Sequence, residues 1–202
     1  MTYISADERK KEILAAARRL CVRDGVAKLS MRGVAEETGI PLGTMQHVFR
    51  TRGDLLRALV DDVDAEIDAA LRTGLVGAKG LAATLHAGLT TFWEEMVAGQ
   101  VGLQLIQYEL TLTTLRTQSL HGIAAWQYRR YAELLAQWCQ EAAASAGETI
   151  AVGYDALARV ILASVDGLIL QYVVDPDAER AAGDLEMLIG TLTALAAPRP
   201  AE

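Results

Sequence analysis

The sequence predicts an all-α protein of about nine helices, and three features of its 202 residues predict it. Apolar residues recur at the three- and four-residue spacing of amphipathic helices along most of the chain. No stretch shows the alternating apolar and polar pattern of a half-buried strand. Glycine, proline and serine residues mark several of the breaks between the periodic segments, where helices begin and end. With 51% hydrophobic residues and only four prolines, the chain can bury a core and is unlike a disordered protein.

The first predicted helix begins after Ser5 and ends at Gly25. Ser5 and Glu8 have the spacing of a capping box, in which each side chain binds the other residue's backbone N–H. Ile13, Ala16, Ala17 and Leu20 form the buried stripe of this helix. Its basic residues lie elsewhere on the surface, where they either contact phosphate or are simply solvated; they are Arg9, Lys10, Lys11, Arg18 and Arg19.

Residues 30–52 are predicted to form two short helices joined by a tight turn. Ser30 can cap the first helix, and Gly39 can adopt the left-handed conformation that ends it. Pro41 has the fixed φ suited to the first turn of the next helix, which should run to about Val48. On that second helix the apolar side chains face inward, and the outward positions are Gly43, Thr44, Gln46 and His47.

The charge of the chain is divided unevenly at residue 52. Residues 1–52 carry ten Lys/Arg and six Asp/Glu, a net charge of +4, and residues 53–202 carry nine and twenty, a net charge of −11. The two values sum to the −7 of the whole chain. A basic segment that contains the paired short helices, followed by an acidic body, suits a protein that attracts phosphates on one face only.

The first quarter of the chain resembles the TetR family of one-component transcriptional regulators. The matching residues are Ala17, Leu20, Gly25, Ser30, Arg32, Val34, Ala35, Thr38, Gly39, Gly43, Thr44, His47, Phe49, Arg52, Asp54, Leu55 and Leu56. The resemblance implies a three-helix helix-turn-helix DNA-binding domain at residues 1–52. It also implies a helical ligand-binding and dimerisation domain at residues 53–202, in a regulator that is expected to be a repressor.

Six residues stand at family positions that commonly contact DNA, namely Ser30, Arg32, Gly43, Thr44, His47 and Arg52. We add Gln46 because its amide can pair bidentately with adenine in the major groove. We predict that Arg32 and Gln46 read bases, whereas Ser30, Thr44, His47 and Arg52 contact phosphate. The family usually has an aromatic residue where Gln46 stands, and an aromatic residue or a histidine where Val48 stands. These two positions should therefore carry this protein's own base preference.

A long helix is predicted from about Gly53 to Thr73, linking the DNA-binding segment to the body. Its outer side is a run of carboxylates without a histidine or cysteine at metal-ligand spacing. We predict that this side is solvated and holds no metal. Its carboxylates are Asp61, Asp62, Asp64, Glu66 and Asp68.

The next three predicted helices contain most of the aromatic residues of the body. They run from about Leu81 to Met96, from Leu103 to near Thr117, and from about Leu120 to Ala146. Their aromatic side chains either form core or wall an apolar cavity. The family resemblance favours a cavity for a small, mostly hydrophobic effector, which the acidic body suggests is neutral or cationic. The predicted ligand-binding residues are Phe92, Trp93, Met96, Gln104, Tyr108, Trp126, Arg130 and Tyr131.

The last two predicted helices, about Ile150 to Val174 and Pro176 to Leu195, are apolar on more than one face and rich in small residues. One face can cover the body, and the other can pair with a second copy in a four-helix interface. The string from Val165 to Gln171, VDGLILQ, resembles the C-terminal segment of the BetI-like subset of the family. The resemblance implies a homodimer through residues 150–195, which would bind a palindromic operator in double-stranded DNA.

Other classes of protein are less well supported by the sequence. It shows no nucleophile–base pair, metal cluster or phosphate loop, so we expect neither an enzyme nor a cofactor. We expect a cytoplasmic protein, because the N-terminus has no signal-peptide pattern and no apolar run approaches the roughly 20 residues of a membrane span. Cys21 and Cys139 are predicted to be inert core residues. The alternative function is a ligand-independent helical DNA-binding or protein-interaction module.

Overall fold

The structure is a computed structural model that describes residues 5–74, 77–120 and 122–201. Within these ranges it contains nine α-helices and two strands of two residues each, which confirms the predicted all-α class. The helices are α1 Ala6–Asp24, α2 Met31–Thr38, α3 Leu42–Val48, α4 Arg52–Gly74, α5 Leu81–Phe92, α6 Val101–Arg116, α7 Ile123–Ser145, α8 Tyr154–Val174 and α9 Ala178–Ala196. The strands are β1 Glu148–Thr149 and β2 Arg199–Pro200.

The chain divides into two compact units. The N-terminal unit comprises Met1–Glu66 together with Leu105–Ala125. The C-terminal unit comprises Ile67–Gln104 together with Trp126–Glu202. The N-terminal unit therefore continues beyond residue 52 and includes most of α6.

The start of α1 in the N-terminal unit forms the predicted capping box. The Ser5 hydroxyl accepts the Glu8 N–H at 3.1 Å, and the Glu8 carboxylate accepts the Ser5 N–H at 2.9 Å. The helix ends before Gly25, whose φ of 83° lies in the region that favours glycine. The stripe predicted to be buried is confirmed, and it packs with the buried residues Leu14, Cys21 and Val26.

Several charged residues that were predicted to lie on the surface form ion pairs. Arg18 donates to Glu66 at 2.8 Å and to Asp62 at 3.0 Å, so α1 is linked to α4 within the N-terminal unit. Arg19 and Arg23 each lie 3.3 Å from a carboxylate oxygen of Glu37 on α2. Part of the acidic side of α4 is therefore neutralised by α1. Asp64 was predicted to lie on the same side of α4, but its side chain is not among those that the structure describes.

In the C-terminal unit the helix α5 continues into a π-helical turn at Trp93–Ala98. The sequence predicted one helix through Met96, and its apolar spacing does not reveal the wider turn. Further along, β1 pairs antiparallel with β2, with Glu148 opposite Pro200 and Thr149 opposite Arg199. No strand was predicted here, because a two-residue bridge is too short to show an alternating pattern.

Gly88 on α5 allows a close approach to α7. A Cβ atom built on Gly88 would lie 2.3 Å from Cζ2 of Trp138, which is closer than any ordinary carbon contact. Trp138 is itself buried. The absence of a side chain at Gly88 is therefore required for Trp138 to occupy its place between the helices.

Helix α8 has an unusually apolar composition. It is 21 residues long, and its most apolar window of 18 residues has a mean hydropathy of 1.7, so by length and composition alone it could cross a membrane. The expectation that no apolar run approaches membrane-spanning length is thus wrong. The buried side chains Leu157, Ile161, Val165 and Ile169 recur every four residues along one side of the helix. Only 28% of its most apolar window is buried, so much of its apolar surface is exposed.

Candidate functional site

The helices α2 and α3 form the predicted helix-turn-helix. The Ser30 hydroxyl caps α2 by accepting the Gly33 N–H at 3.0 Å. Gly39, with φ of 69°, ends α2 in the left-handed conformation. Thr38 reinforces the turn, because its hydroxyl donates to the Val34 carbonyl at 2.8 Å and accepts the Ile40 N–H at 3.2 Å. The local signals in the sequence were therefore sufficient to place this turn.

Helix α3 presents a short polar face. Met45 and Phe49 are buried beneath it, as their spacing predicted. Gln46 and His47 are exposed, and Thr44 is half-buried. Gly43 is exposed, and a Cβ atom built on it would meet no other atom within 4 Å, so a DNA backbone can approach it closely. Four of the predicted DNA-binding residues thus lie together on this helix.

Two more predicted DNA-binding residues lie on or beside α2. Arg32 is exposed in its first turn. Ser30 accepts a backbone hydrogen bond as the N-cap, which leaves its hydroxyl hydrogen available to a phosphate oxygen. The geometry of both residues is compatible with the roles predicted for them.

Arg52 lies in a different environment from the other predicted contacts. Its Nε donates to the Leu29 carbonyl at 2.7 Å, and one terminal nitrogen donates to the Val26 carbonyl at 2.9 Å. These bonds bind the guanidinium to the backbone between α1 and α2. The geometry favours a structural role for Arg52, which holds this turn in place, over the predicted phosphate contact.

The predicted effector residues of α5, of the π-helical turn and of the start of α6 lie in the C-terminal unit. Trp93 and Met96 are buried on the π-helical turn, and Phe92 is half-buried just before it. The Gln104 side chain donates to the Met96 carbonyl at 2.6 Å, which joins α6 to this turn. Turns of this kind occur often at functional sites, where they change the direction of side chains.

The predicted effector residues of α7 lie within a polar and aromatic group. The Arg130 guanidinium lies 6.0 Å from the centre of the Trp126 ring, within the range of a cation–π contact. The Tyr131 hydroxyl accepts a hydrogen bond from Gln127 at 2.8 Å. Tyr108 lies on the part of α6 that belongs to the N-terminal unit, whereas the other seven predicted effector residues belong to the C-terminal unit.

Asp166 and Tyr128 form a pair that was not predicted from the sequence. The Tyr128 hydroxyl donates to the Asp166 carboxylate at 2.8 Å, joining α7 to α8. Burial raises the pKa of Asp166, and the hydrogen bond from Tyr128 partly opposes that shift. The signal in the sequence was a single carboxylate in the apolar run of α8. Tyr172, also on α8, was missed as well, and its ring lies 5.5 Å from that of Trp93 in an edge-to-face contact.

The structure gives no indication of metal or thiol chemistry in the part of the chain that it describes. Across residues 5–74, 77–120 and 122–201 there is no group of three or more His, Cys, Asp or Glu residues that could hold a metal ion. Burial raises the pKa of the Cys21 thiol to about 11 and that of the Cys139 thiol to about 12. Both thiols therefore stay protonated at neutral pH, and a protonated thiol is a poor nucleophile.

Comparisons with known proteins agree with this architecture. The chain is 26% identical over 177 residues to the HTH-type nicotine-responsive transcriptional repressor HdnoR of Paenarthrobacter nicotinovorans, covering 88% of this chain and 90% of that protein. Salmonella enterica GusR has a similar structure, with a TM-score of 0.74 at 21% identity, covering 93% of this chain and 95% of that chain. The multidrug binding protein EbrR complexed with ethidium has a TM-score of 0.68 at 26% identity, covering 93% and 98%.

Two family models match different parts of the chain. Residues 13–59 match the model for bacterial regulatory proteins of the tetR family, and these residues include the whole helix-turn-helix. Residues 80–197, more than half of the chain, match the model for the tetracyclin repressor-like C-terminal domain. The chain therefore belongs to the TetR family of transcriptional regulators.

Proposed function

We propose that the protein is a ligand-responsive repressor that binds a palindromic operator as a homodimer and is released by a small, mostly hydrophobic molecule. The observation that carries this proposal is the exposed polar face of α3, held on a helix-turn-helix within the basic segment of the chain. We assign DNA binding to residues 1–52, ligand binding and dimerisation to residues 53–202, and no catalytic role to either. A regulator that acts on operator DNA works in the cytoplasm.

On the DNA side, we propose that Gln46 and Arg32 read base edges in the major groove. Both side chains are exposed and belong to the helix pair that a helix-turn-helix places against DNA. Thr44, His47 and Ser30 are proposed to contact phosphates. These contacts set the register on the duplex without reading its sequence, and the net charge of +4 on residues 1–52 supplies attraction to any sequence.

The exposed apolar surface of α8 and α9 supports a homodimer. Leu170 is 48% exposed, Val174 76% and Met187 71%, although all three are large apolar residues. Gly183 and Gly190 on α9 have open space where a side chain would stand, which permits a second helix to pack closely. Two copies joined in this way would present two α3 helices to two half-sites, as a palindromic operator requires.

Two of the similar proteins guide the proposed class of effector. HdnoR is named for its response to nicotine, and EbrR has been solved with bound ethidium. Both compounds are aromatic nitrogen compounds that carry positive charge at neutral pH. The aromatic residues of α7 and the net charge of −11 on residues 53–202 suit such a molecule. We therefore propose an aromatic, neutral or cationic effector.

Fluorescence anisotropy of a labelled duplex tests the proposal. The duplex is taken from the DNA upstream of the protein's own gene, and a duplex with one half-site scrambled serves as the control. Nicotine is the first probe, and its binding is followed independently by tryptophan fluorescence. A bound effector should weaken operator binding, and by linkage operator DNA should weaken effector binding by the same factor. Tight binding of a small molecule with unchanged operator affinity would refute ligand-responsive repression.

A further inference from the structure

The turn between α1 and α2, residues 26–29, is held by charged side chains from two other helices. Glu109 on α6 accepts a hydrogen bond from the Val26 N–H at 2.5 Å. Arg52, at the start of α4, donates to the carbonyl oxygens of Val26 and Leu29. Both polar backbone groups of Val26 are therefore bound by charged groups, one of each sign. All of these residues belong to the N-terminal unit.

The backbone around Val26 is shaped to admit the Glu109 carboxylate. Gly25 adopts a φ of 83°, and a Cβ atom placed there would lie 3.2 Å from Oε2 of Glu109. Val26 is completely buried, and its bond to the exposed Glu109 carboxylate is partly shielded from water. A hydrogen bond between a backbone N–H and a carboxylate is about twice as strong as a neutral one. Val26 and Glu109 therefore form a strong hydrogen bond that connects the turn to α6.

The held turn leads directly into the DNA-reading helices. Leu29, whose carbonyl accepts from Arg52, is followed at once by Ser30, the N-cap of α2. The orientation of the turn consequently sets the direction in which α2 starts, and the short turn at Gly39 carries that direction on to α3.

We propose that Glu109 is a positioning residue for DNA binding: its bond to Val26 lets α6 fix α2 and α3 in the operator-binding arrangement. The role in DNA binding rests on the proposed function, whereas the hold of Glu109 on the turn does not require an effector.

The test compares the wild type with Glu109→Gln and Glu109→Ala, and uses Glu133→Gln as a matched control. Glu133 is an exposed carboxylate on α7 in the other unit. Hydrogen–deuterium exchange is measured at residues 25–30, at α2 and α3, and at the buried part of α4. Operator affinity is measured by anisotropy, without effector, on a duplex that the wild type selects from a random-sequence library.

Glu109→Ala should increase exchange at the Val26 amide and in α2 and α3, and should weaken operator binding by about tenfold. Glu109→Gln retains an acceptor oxygen without the charge, so its effects should lie between those of the wild type and Glu109→Ala. Glu133→Gln should match the wild type. The partial rescue by Gln distinguishes positioning through the hydrogen bond from a general effect of a shorter side chain.

Unchanged exchange and unchanged affinity in Glu109→Ala would overturn the proposal. Exchange that rises equally in the buried part of α4 would also overturn it, because Glu109 would then act only on the stability of the unit. If the wild type selects no DNA sequence, the proposed function fails. Exchange in α2 and α3 still decides in that case whether Glu109 positions the two helices.

Discussion

The guanidinium of Arg52 is bound on the inside of the DNA-binding segment, with its donors directed at the carbonyl oxygens of Val26 and Leu29. The planar fork of arginine can reach two acceptors at once, which a lysine ammonium does less well. Residue type and position in the family pattern were insufficient to distinguish this arrangement from a phosphate contact. The distinction depends on where the turn before α2 lies in three dimensions.

We expect Arg52→Ala to lower the free energy of unfolding by about 1–3 kcal/mol, because it leaves carbonyl groups without their charged donor. The slope of log affinity for DNA against log salt concentration should stay unchanged. Urea denaturation and anisotropy at several salt concentrations measure the two effects. Arg32→Ala is the control, with unchanged unfolding and weaker DNA binding. A salt slope reduced by about one in Arg52→Ala would instead identify Arg52 as a phosphate contact.

Gly88 is a second position where one residue determines local packing. We expect Gly88→Ala to destabilise the protein by about 1–3 kcal/mol, because its new methyl group would overlap the buried ring of Trp138. Gly43→Ala is the matched control in helix α3, where nothing lies within 4 Å of the added atom. That change should stabilise the fold by up to about 1 kcal/mol through helix propensity. Equal urea midpoints for the two variants would contradict this account.

At the scale of the helices, the sequence predicted best the elements whose ends carry local signals. Ser5, Ser30 and Gly39 form caps through atoms within a few residues of themselves, so α1 and α2 were placed closely. The start of α8 was predicted at Ile150 but lies at Tyr154. Just before this segment, Glu148 and Thr149 pair with Pro200 and Arg199, about 50 positions away. Contacts between residues so far apart in the chain do not appear as a periodic pattern in the sequence.

The N-terminus of α5 offers a test at this scale. The Glu148 carboxylate accepts the Leu81 N–H at 2.8 Å, so a side chain from beyond α7 caps this helix. Glu148→Ala should lower the free energy of unfolding by about 1 kcal/mol, and Glu148→Gln by less, because an amide oxygen still accepts the bond. Thermal denaturation measures both, with Glu133→Ala as an exposed control. No difference between Glu148→Ala and the control would show that the cap contributes nothing measurable.

At the scale of the whole molecule, a single recognition helix of seven residues spans too few bases to be selective. The proposed homodimer would supply a second reading helix, and α8 and α9 provide exposed apolar surface for it. The sequence indicated this surface through apolar residues on more than one helix face. The chemistry of the proposed effector is not indicated in the same way, because it depends on which side chains converge in three dimensions.

We expect Leu170→Glu to make the protein monomeric in analytical ultracentrifugation and to weaken operator binding by about 100-fold, because an unpaired carboxylate would enter an apolar interface. Leu112→Glu is the matched control. Leu112 is 53% exposed on α6 and Leu170 is 48% exposed on α8, but only Leu170 lies in the proposed interface. The control should remain dimeric and bind operator normally. A dimeric Leu170→Glu variant would exclude this part of α8 from the interface.

The π-helical turn at Trp93–Ala98 has a consequence for the side chains proposed to bind an effector. It holds about one residue more than an α-helical turn, and one residue corresponds to about 100° of rotation around the helix axis. Deleting Glu94 or Glu95, both exposed, would return the segment to α-helical register and rotate the side chains on either side of it relative to each other. A change of one residue in length at this turn would thus alter the proposed effector site and leave the sequence of the DNA-reading helices intact.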